Sequence, residues 1–244
     1  MATLYKFDPH VHDMESSRCG KAGAAEMVEA YADKGYDGII ITDHFLNANT
    51  TADRSAPWEK QVATLVKGYE AAKKRGDQLG LKVFFAWEGG FDGNDFLTYG
   101  LDVDWLLENP DCASLPMKEY LKCTRAAGAY IVHAHPYRQA NYIYCIRLLP
   151  QLVDAVETRN YCRTDLDNRL AWLYARAYGL PATAGSDAHC PDHIPPTVLE
   201  TREPVNSVQD YIAMVKSGKI IIPELPGTPM PWEWQGDGNT QEGR

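Results

Sequence analysis

The seven histidines fall in four short clusters: His10-Val11-His12, Thr42-Asp43-His44, His133-Ala134-His135, and Asp187-Ala188-His189 with His193 four residues on. Neutral imidazole is a strong nitrogen donor near neutral pH and the commonest protein metal ligand. These clusters stand at the ends of short apolar runs. Glu88 closes another such run, Phe84-Phe85-Ala86-Trp87. In extended chain, residues i and i+2 face the same way, so His10 and His12 can point into one mouth, as can Asp187 and His189. A carboxylate behind an apolar run is costly to bury unless a cation accompanies it. Nitrogen and carboxylate donors without an evident thiolate set suit Zn, Mn or Fe. The donors exceed the needs of one ion, so two or three divalent ions bridged by a carboxylate are expected.

Other residues near these clusters have open roles. His44 reads as a ligand, or as a histidine that supports one. Asp43 reads as a hydrogen-bonding orienter of a ligand. By strand alternation His133 faces the same side as His135, either as an added active-site group or as a buried, hydrogen-bonded histidine. Arg138, just past His135-Pro136-Tyr137, suits bidentate capture of a phosphate, with a surface ion pair as the plainer reading. His193 reads as a loop residue. The loops 45–57 and 137–149 leave the same face, and Trp58, Tyr142 and Tyr144 are candidate pocket walls.

Positioning these groups requires a sheet. Short runs rich in Val, Ile, Phe and Tyr predict strands at Tyr5–His10, Gly38–Asp43, Val83–Glu88, Phe96–Leu101, Tyr130–His135, Ala155–Asn160 and Ala182–Ser186. Helices are predicted at Ala22–Lys34, Trp58–Gly76, Met117–Ala127, Asp165–Tyr178 and Ser207–Ser217. Alternation at these intervals predicts a mostly parallel sheet, closed or nearly closed into an α/β barrel with catalytic groups at the C-terminal strand ends. Residues 1–222 read as one domain, and 223–244, which include Trp232 and Trp234, as an extended or disordered tail.

The bulk properties narrow the class. A net charge of −9 argues against a broad nucleic-acid footprint. The six cysteines include no CxxC pair, which fits a reducing compartment. Neither a signal peptide nor an apolar stretch of ~20 residues is evident, so a cytoplasmic protein without a membrane span is expected.

The ordered set HVH, ITDH, an isolated glutamate after an apolar strand, AHP and GSDAH resembles the PHP family, named for polymerase-associated and histidinol-phosphatase domains. The resemblance covers roughly residues 5–222. It implies a distorted seven-stranded (β/α)7 barrel of TIM-like type holding up to three divalent metals at its mouth, and, for most characterised members, phosphoesterase activity. By position it implies that His10, His12, Glu88 and Asp187 hold one ion. Glu88 would bridge to a second ion that also takes His135, and His44 and His189 would hold a third. Two departures stand out. Where relatives often carry a histidine after the glutamate, this chain offers Asp95. Where a ligand usually follows the first HxH, Asp13, Glu15 and Cys19 compete.

The expected function is a metal-dependent hydrolase, foremost a phosphoesterase cleaving a small phosphate ester by a metal-bridged hydroxide. Glu88 and Asp187 would anchor the catalytic centre, Arg138 would orient the phosphoryl group, and His133 would be a candidate acid. The partner is a small phosphorylated substrate or a short oligonucleotide. The alternatives are a non-catalytic metal-binding or regulatory PHP-like module and an amidohydrolase-type C–N hydrolase. The latter usually needs a bridging lysine, which the middle strands lack.

Overall fold

The computed structural model describes residues 3–223; the predicted tail, apart from Pro223, lies outside the described residues. The elements run β1 (Tyr5–Val11), α1 (Ala24–Asp33), β2 (Gly38–Ile41), α2 (Trp58–Leu79), β3 (Lys82–Phe85), β4 (Trp87–Phe91), β5 (Asn94–Tyr99), α3 (Val103–Glu108), α4 (Met117–Ala126), β6 (Tyr130–Ala134), β7 (Ala155–Asn160), α5 (Asp165–Tyr178), β8 (Ala182–Gly185), β9 (Leu199–Thr201), α6 (Val208–Lys216) and β10 (Ile220–Ile221). The predicted strands and helices are present with shifted ends, except that Val83–Glu88 is divided at Ala86 between β3 and β4. The short α3 was not foreseen; Asp102 caps it by accepting from the Trp105 amide at 2.9 Å.

Periodicity explains how the helices seat. α1 buries Ala24, Met27, Val28 and Tyr31, the i, i+3, i+4, i+7 stripe, against Ile39, Ile41 and Val83. Each large side chain so buried contributes about 1.5–3 kcal/mol. α5 starts on a capping box in which Thr164 and Asp167 satisfy each other's backbone amides. α6 closes the core between the sheets at the strands' N-terminal side, where Tyr211 stacks on Phe7 and meets Tyr99 edge-on.

The strands form two mixed five-stranded sheets, ordered β10-β9-β1-β2-β3 and β4-β5-β6-β7-β8. The expected α/β class holds, but in place of a closed or nearly closed, mostly parallel seven-stranded barrel the described residues form two separate mixed sheets. β1-β2-β3 and β6-β7-β8 are parallel, but β4-β5 and β5-β6 are antiparallel. A parallel crossover needs about a dozen residues. Only Asp92 and Gly93 separate β4 from β5, and both have positive φ (51° and 83°), the backbone of a tight hairpin.

The sheets meet along two seams. Ala86 alone separates β3 from β4, so the chain steps from one sheet's edge to the other's. Isolated parallel bridges His44↔Glu88 and Val11↔Ala188 then stitch the edges. They carry Glu88 N→Asp43 O at 3.0 Å, Phe45 N→Glu88 O at 2.8 Å, Asp187 N→His10 O at 3.0 Å and His12 N→Ala188 O at 3.0 Å. The residues of these seams are the candidate ligands. Because β5 runs backward, its first residues, including Asp95, arrive at the same mouth as the ends of the parallel strands. No helix among the described residues is long and apolar enough to cross a membrane.

Candidate metal centre

Glu88 lies at the middle of the cluster, 1% exposed. Its Oε1 is 3.1 Å from His135 Nε2 and 3.5 Å from His10 Nε2. Its Oε2 is 3.0 Å from His44 Nδ1 and 3.4 Å from His12 Nε2. Each oxygen thus faces two imidazoles. Asp187 stands opposite, with Oδ1 3.6 Å from His10 Nε2 and 3.5 Å from His12 Nε2. Burial disfavours both carboxylates as anions, yet His10 foremost holds each well below the usual range, joined by His44 at Glu88 and by His12 and His135 at Asp187.

The imidazoles are oriented from behind. His10 Nδ1 donates to Glu157 Oε1 at 2.8 Å, and the other Glu157 oxygen accepts from the His135 amide and from Asn160 Nδ2, each at 2.9 Å. Ser17 gives its hydroxyl proton to Asp43 at 2.7 Å, so at 3.2 Å it accepts from His12 Nδ1. The two Nε2 atoms then converge, 3.1 Å apart. Such an approach is satisfied by a proton on His10 Nε2 or by a cation beside both nitrogens. Burial opposes charge on His10, but Glu157, Asp187 and Glu88 outweigh it and raise its pKa well above the imidazole range. His12 goes the other way: burial, reinforced by the His189 and His44 rings, lowers it to about 3 and keeps it a neutral donor. His189 donates Nδ1–H to the Asp187 carbonyl at 2.6 Å, which leaves Nε2 free.

The backbone here is unusual. His135 has φ 26° and Asp187 φ 58°, left-handed values that side chains with a Cβ rarely adopt. Asp8 steadies this region. Its Oδ1 accepts from the amides of His10 (3.1 Å) and Ser186 (3.2 Å), and its Oδ2 accepts from Tyr31 Oη at 2.6 Å. Gly185 leaves room for the His10–Glu157 pair; a Cβ there would fall 2.2 Å from Glu157 Oε1 and 2.5 Å from His10 Cβ.

Four donor groups have ligand atoms within 4.8 Å of one another: His10/His12/Glu88, His10/His135/Asp187, Glu88/Asp95/His135 and His12/His44/His189. The candidate metal residues named from sequence therefore all come together. Buried Asp95 Oδ2 and His44 Nδ1 make no aligned hydrogen bond; their contacts are ion pairs, with Arg138 Nη2 at 3.1 Å and Glu88 Oε2 at 3.0 Å. Converging imidazoles and ionised carboxylates fit divalent metal.

His133 does not join them. Its ring stacks on Phe96 at 4.9 Å between centroids, neither nitrogen is hydrogen-bonded, and burial lowers its pKa to about 3. This corrects its proposed role as an active-site acid. Strand alternation fails because β6 ends at Ala134 and His135 turns left-handed. Asp43 occupies the orienting position behind Ser17. His193 lies in a 3-10 turn, its Nδ1 accepting from the His189 amide at 3.4 Å.

A cavity of about 590 Å3 opens over the centre and is bordered by Asn47, Phe91, Asp95, Arg138, Tyr142 and Arg163 among others. Arg138 Nη2 is 3.1 Å from Asp95 Oδ2 and donates to Tyr142 Oη at 2.9 Å. Arg163 Nη2 donates to Asp187 Oδ2 at 3.2 Å. Tyr144 is 94% exposed, and Trp58 donates instead to the Leu106 carbonyl. Sequence reasoning missed Glu157, Ser17 and Arg163. Glu157 carried a usable signal, an acid inside the strand Ala155–Asn160, the reasoning already applied to Glu88; Ser17 and Arg163 carried none.

The chain resembles known proteins chiefly in structure. No curated protein matches it by sequence. The family described as PHP-associated matches residues 165–220. A two-domain protein from Bacteroides vulgatus containing a predicted PHP-like metal-dependent phosphoesterase superposes with a TM-score of 0.66 at 16% identity, over 90% of this chain and 64% of that one. The chain thus spans just under two thirds of that relative's length. A putative metal-dependent phosphoesterase from Bifidobacterium adolescentis gives a TM-score of 0.51 at 14% identity, covering 78% of this chain and 89% of that one. An amidohydrolase from Chromobacterium violaceum with bound sulfate and no metal gives 0.57 at 14% identity, covering 90% and 98%. With the ordered ligand motifs gathered at one centre, the chain is similar to PHP proteins in its matched PHP-associated segment and in its fold.

Proposed function

We propose that the protein is a metal-dependent phosphoesterase acting on a small phosphate ester, with its two sheets serving as the halves of a distorted barrel. The observation that carries this reading is Glu88 set among four imidazoles beneath a cavity bordered by two arginines. His10, His12 and Asp187 would hold one ion, Asp95 and His135 a second, and His44 and His189 a third, with Glu88 shared between the first two. Zn, Mn or Fe suits these donors. Ions so held would activate water at neutral pH and offset charge on the reacting phosphoryl oxygens.

The chain's own residues do the rest. Arg138 and Arg163 each spend one nitrogen on a carboxylate of the centre and keep other N–H groups for phosphoryl oxygens, a geometry guanidinium forks match well. Phe91, Asn47 and Tyr142 wall the space for the leaving group, and the cavity volume suits a small molecule. A nucleotide end, a short oligonucleotide or a sugar phosphate all present the same phosphoryl group, and the fold does not choose among them. Sulfate in the Chromobacterium relative, a tetrahedral oxyanion like phosphate, supports this reading. Six free thiols suit a cytoplasmic setting.

That relative's description as an amidohydrolase keeps C–N hydrolysis as a second reading, although no lysine borders the cavity. The test is a panel of phosphomonoesters, phosphodiesters and amides, run before chelation, after it, and after metal add-back. Phosphoester hydrolysis that disappears and returns supports the proposal. Amide turnover alone supports the second reading, and metal occupancy without any turnover points to a regulatory module.

A further inference from the structure

We propose that Cys19 is a metal ligand, its thiolate joining His44 and His189 to hold a soft divalent cation at one corner of the centre. This rests on the reading of the cluster as a metal site. It adds a donor whose chemistry differs from that of every other ligand there.

The competing acids are engaged elsewhere. Asp13 turns its Oδ1 back to the amides of Glu15 (3.0 Å) and Ser16 (3.3 Å), and its Oδ2, which has no hydrogen-bond partner, faces Gly68 of α2. Glu15 Oε2 accepts from the Ala24 amide at 3.0 Å, at the start of α1. Cys19 instead borders the cavity together with His44 and His189, and its thiol lies within hydrogen-bonding reach of both rings.

This placement is built into the loop. On one side Arg18 N donates to Asn49 O at 2.9 Å, which ties the segment to the loop carrying His44. On the other, Lys21 N donates to the His189 carbonyl at 2.8 Å. Gly20 lets the loop fold onto itself, since a Cβ there would fall 2.2 Å from the Asp13 carbonyl oxygen. Cys19 is therefore suspended between the two histidines by backbone bonds to both of their loops.

The donor count favours a separate ion. His189 Nε2 is free because Nδ1 is spent on the Asp187 carbonyl. His12 is close to this corner, but its Nε2 faces Glu88 and Asp187. One sulfur and two nitrogens, with a position left toward the cavity, match an open zinc-type site. Thiolate selects Zn or Co(II) over Mn or Mg, whereas the Glu88/Asp95/His135 corner, with two carboxylates, is harder.

The test uses the full chain, stripped by chelator and titrated with Co(II). We expect a near-ultraviolet thiolate-to-cobalt charge-transfer band that saturates at one ion per chain and is displaced by Zn. Cys19→Ser should abolish the band and weaken that ion at least about tenfold, with an unchanged far-ultraviolet circular dichroism spectrum. Cys19→His should keep the ion and lose the band, separating ligation from folding. Cys145→Ser, a control on an exposed thiol, should keep both. Cobalt bound without the band, or a band that survives Cys19→Ser, would overturn the proposal. Absence of cobalt binding would overturn both this proposal and the metal-centre reading. A band that behaves as described in a protein inactive on all phosphoesters would leave Cys19 assigned and overturn the phosphoesterase reading.

Discussion

The sheet built on β1 brings imidazoles to the centre: His10, His12 and, just past β2, His44. The sheet from β4 to β8 brings all the carboxylates, Glu88, Asp95 and Glu157 with Asp187 just past β8, together with two imidazoles, His135 and His189. Acids on the first side stay behind the histidines. Asp13, for example, is pushed up to about 10 by burial and the neighbouring Asp43 carboxylate, and is uncharged at neutral pH. Glu88, Asp95 and His135 group on the second sheet alone, but the other three donor groups draw on both sheets. The centre exists along the seam, where single bridges at His44↔Glu88 and Val11↔Ala188 replace regular pairing. Few backbone bonds hold these edges together, so a cation shared by donors from both sides would act as the missing part of the joint.

The largest break in this comparison is Glu88→Gln, which removes the charge shared by four imidazoles of both sheets. It should lower phosphoester turnover about a thousandfold or more and reduce bound metal, by steady-state kinetics and elemental analysis. Next comes metal removal from the wild type. An ion at 1,000 times its Kd stabilises the native state by about 4 kcal/mol, and at about 2–4 °C per kcal/mol for a chain of this size chelation should lower Tm by roughly 10 °C. Gly185→Ala would force a Cβ into the His10–Glu157 contact. It should cost about 1–3 kcal/mol in denaturant unfolding and weaken metal binding. Glu157→Gln keeps the packing but weakens the orientation of His10, and should lower metal affinity about 10–100-fold. Ser17→Ala loses the relay from His12 to Asp43 and the acceptor for the His44 amide, and should have the smallest effect, near the lower end of that range.

What the sequence disclosed follows the range of the physics involved. His10 and His12 were legible because strand alternation is local, and Asp187 with His189 for the same reason. Asp95 could be named but not placed, because its arrival at the mouth depends on β5 running backward. The signal for that reversal, Asp92-Gly93 between two short apolar runs, was present in the sequence and was not used. His133 shows the limit of periodicity: one residue in left-handed conformation, His135, separates two neighbours that alternation would place together. Glu157, Ser17 and Arg163 act across 147, 5 and 24 residues of chain respectively. Only the short Ser17 separation lies within local range, and a serine in a loop carries no distinguishing mark.

The most direct test is anomalous diffraction from crystals of the protein loaded with Zn or Mn. This account predicts one ion among His10, His12 and Asp187 and a second between Asp95 and His135. Both would lie within about 2.0–2.2 Å of donors and share Glu88. Peaks located away from Glu88, or metal-replete crystals with no peak at the seam, would contradict it.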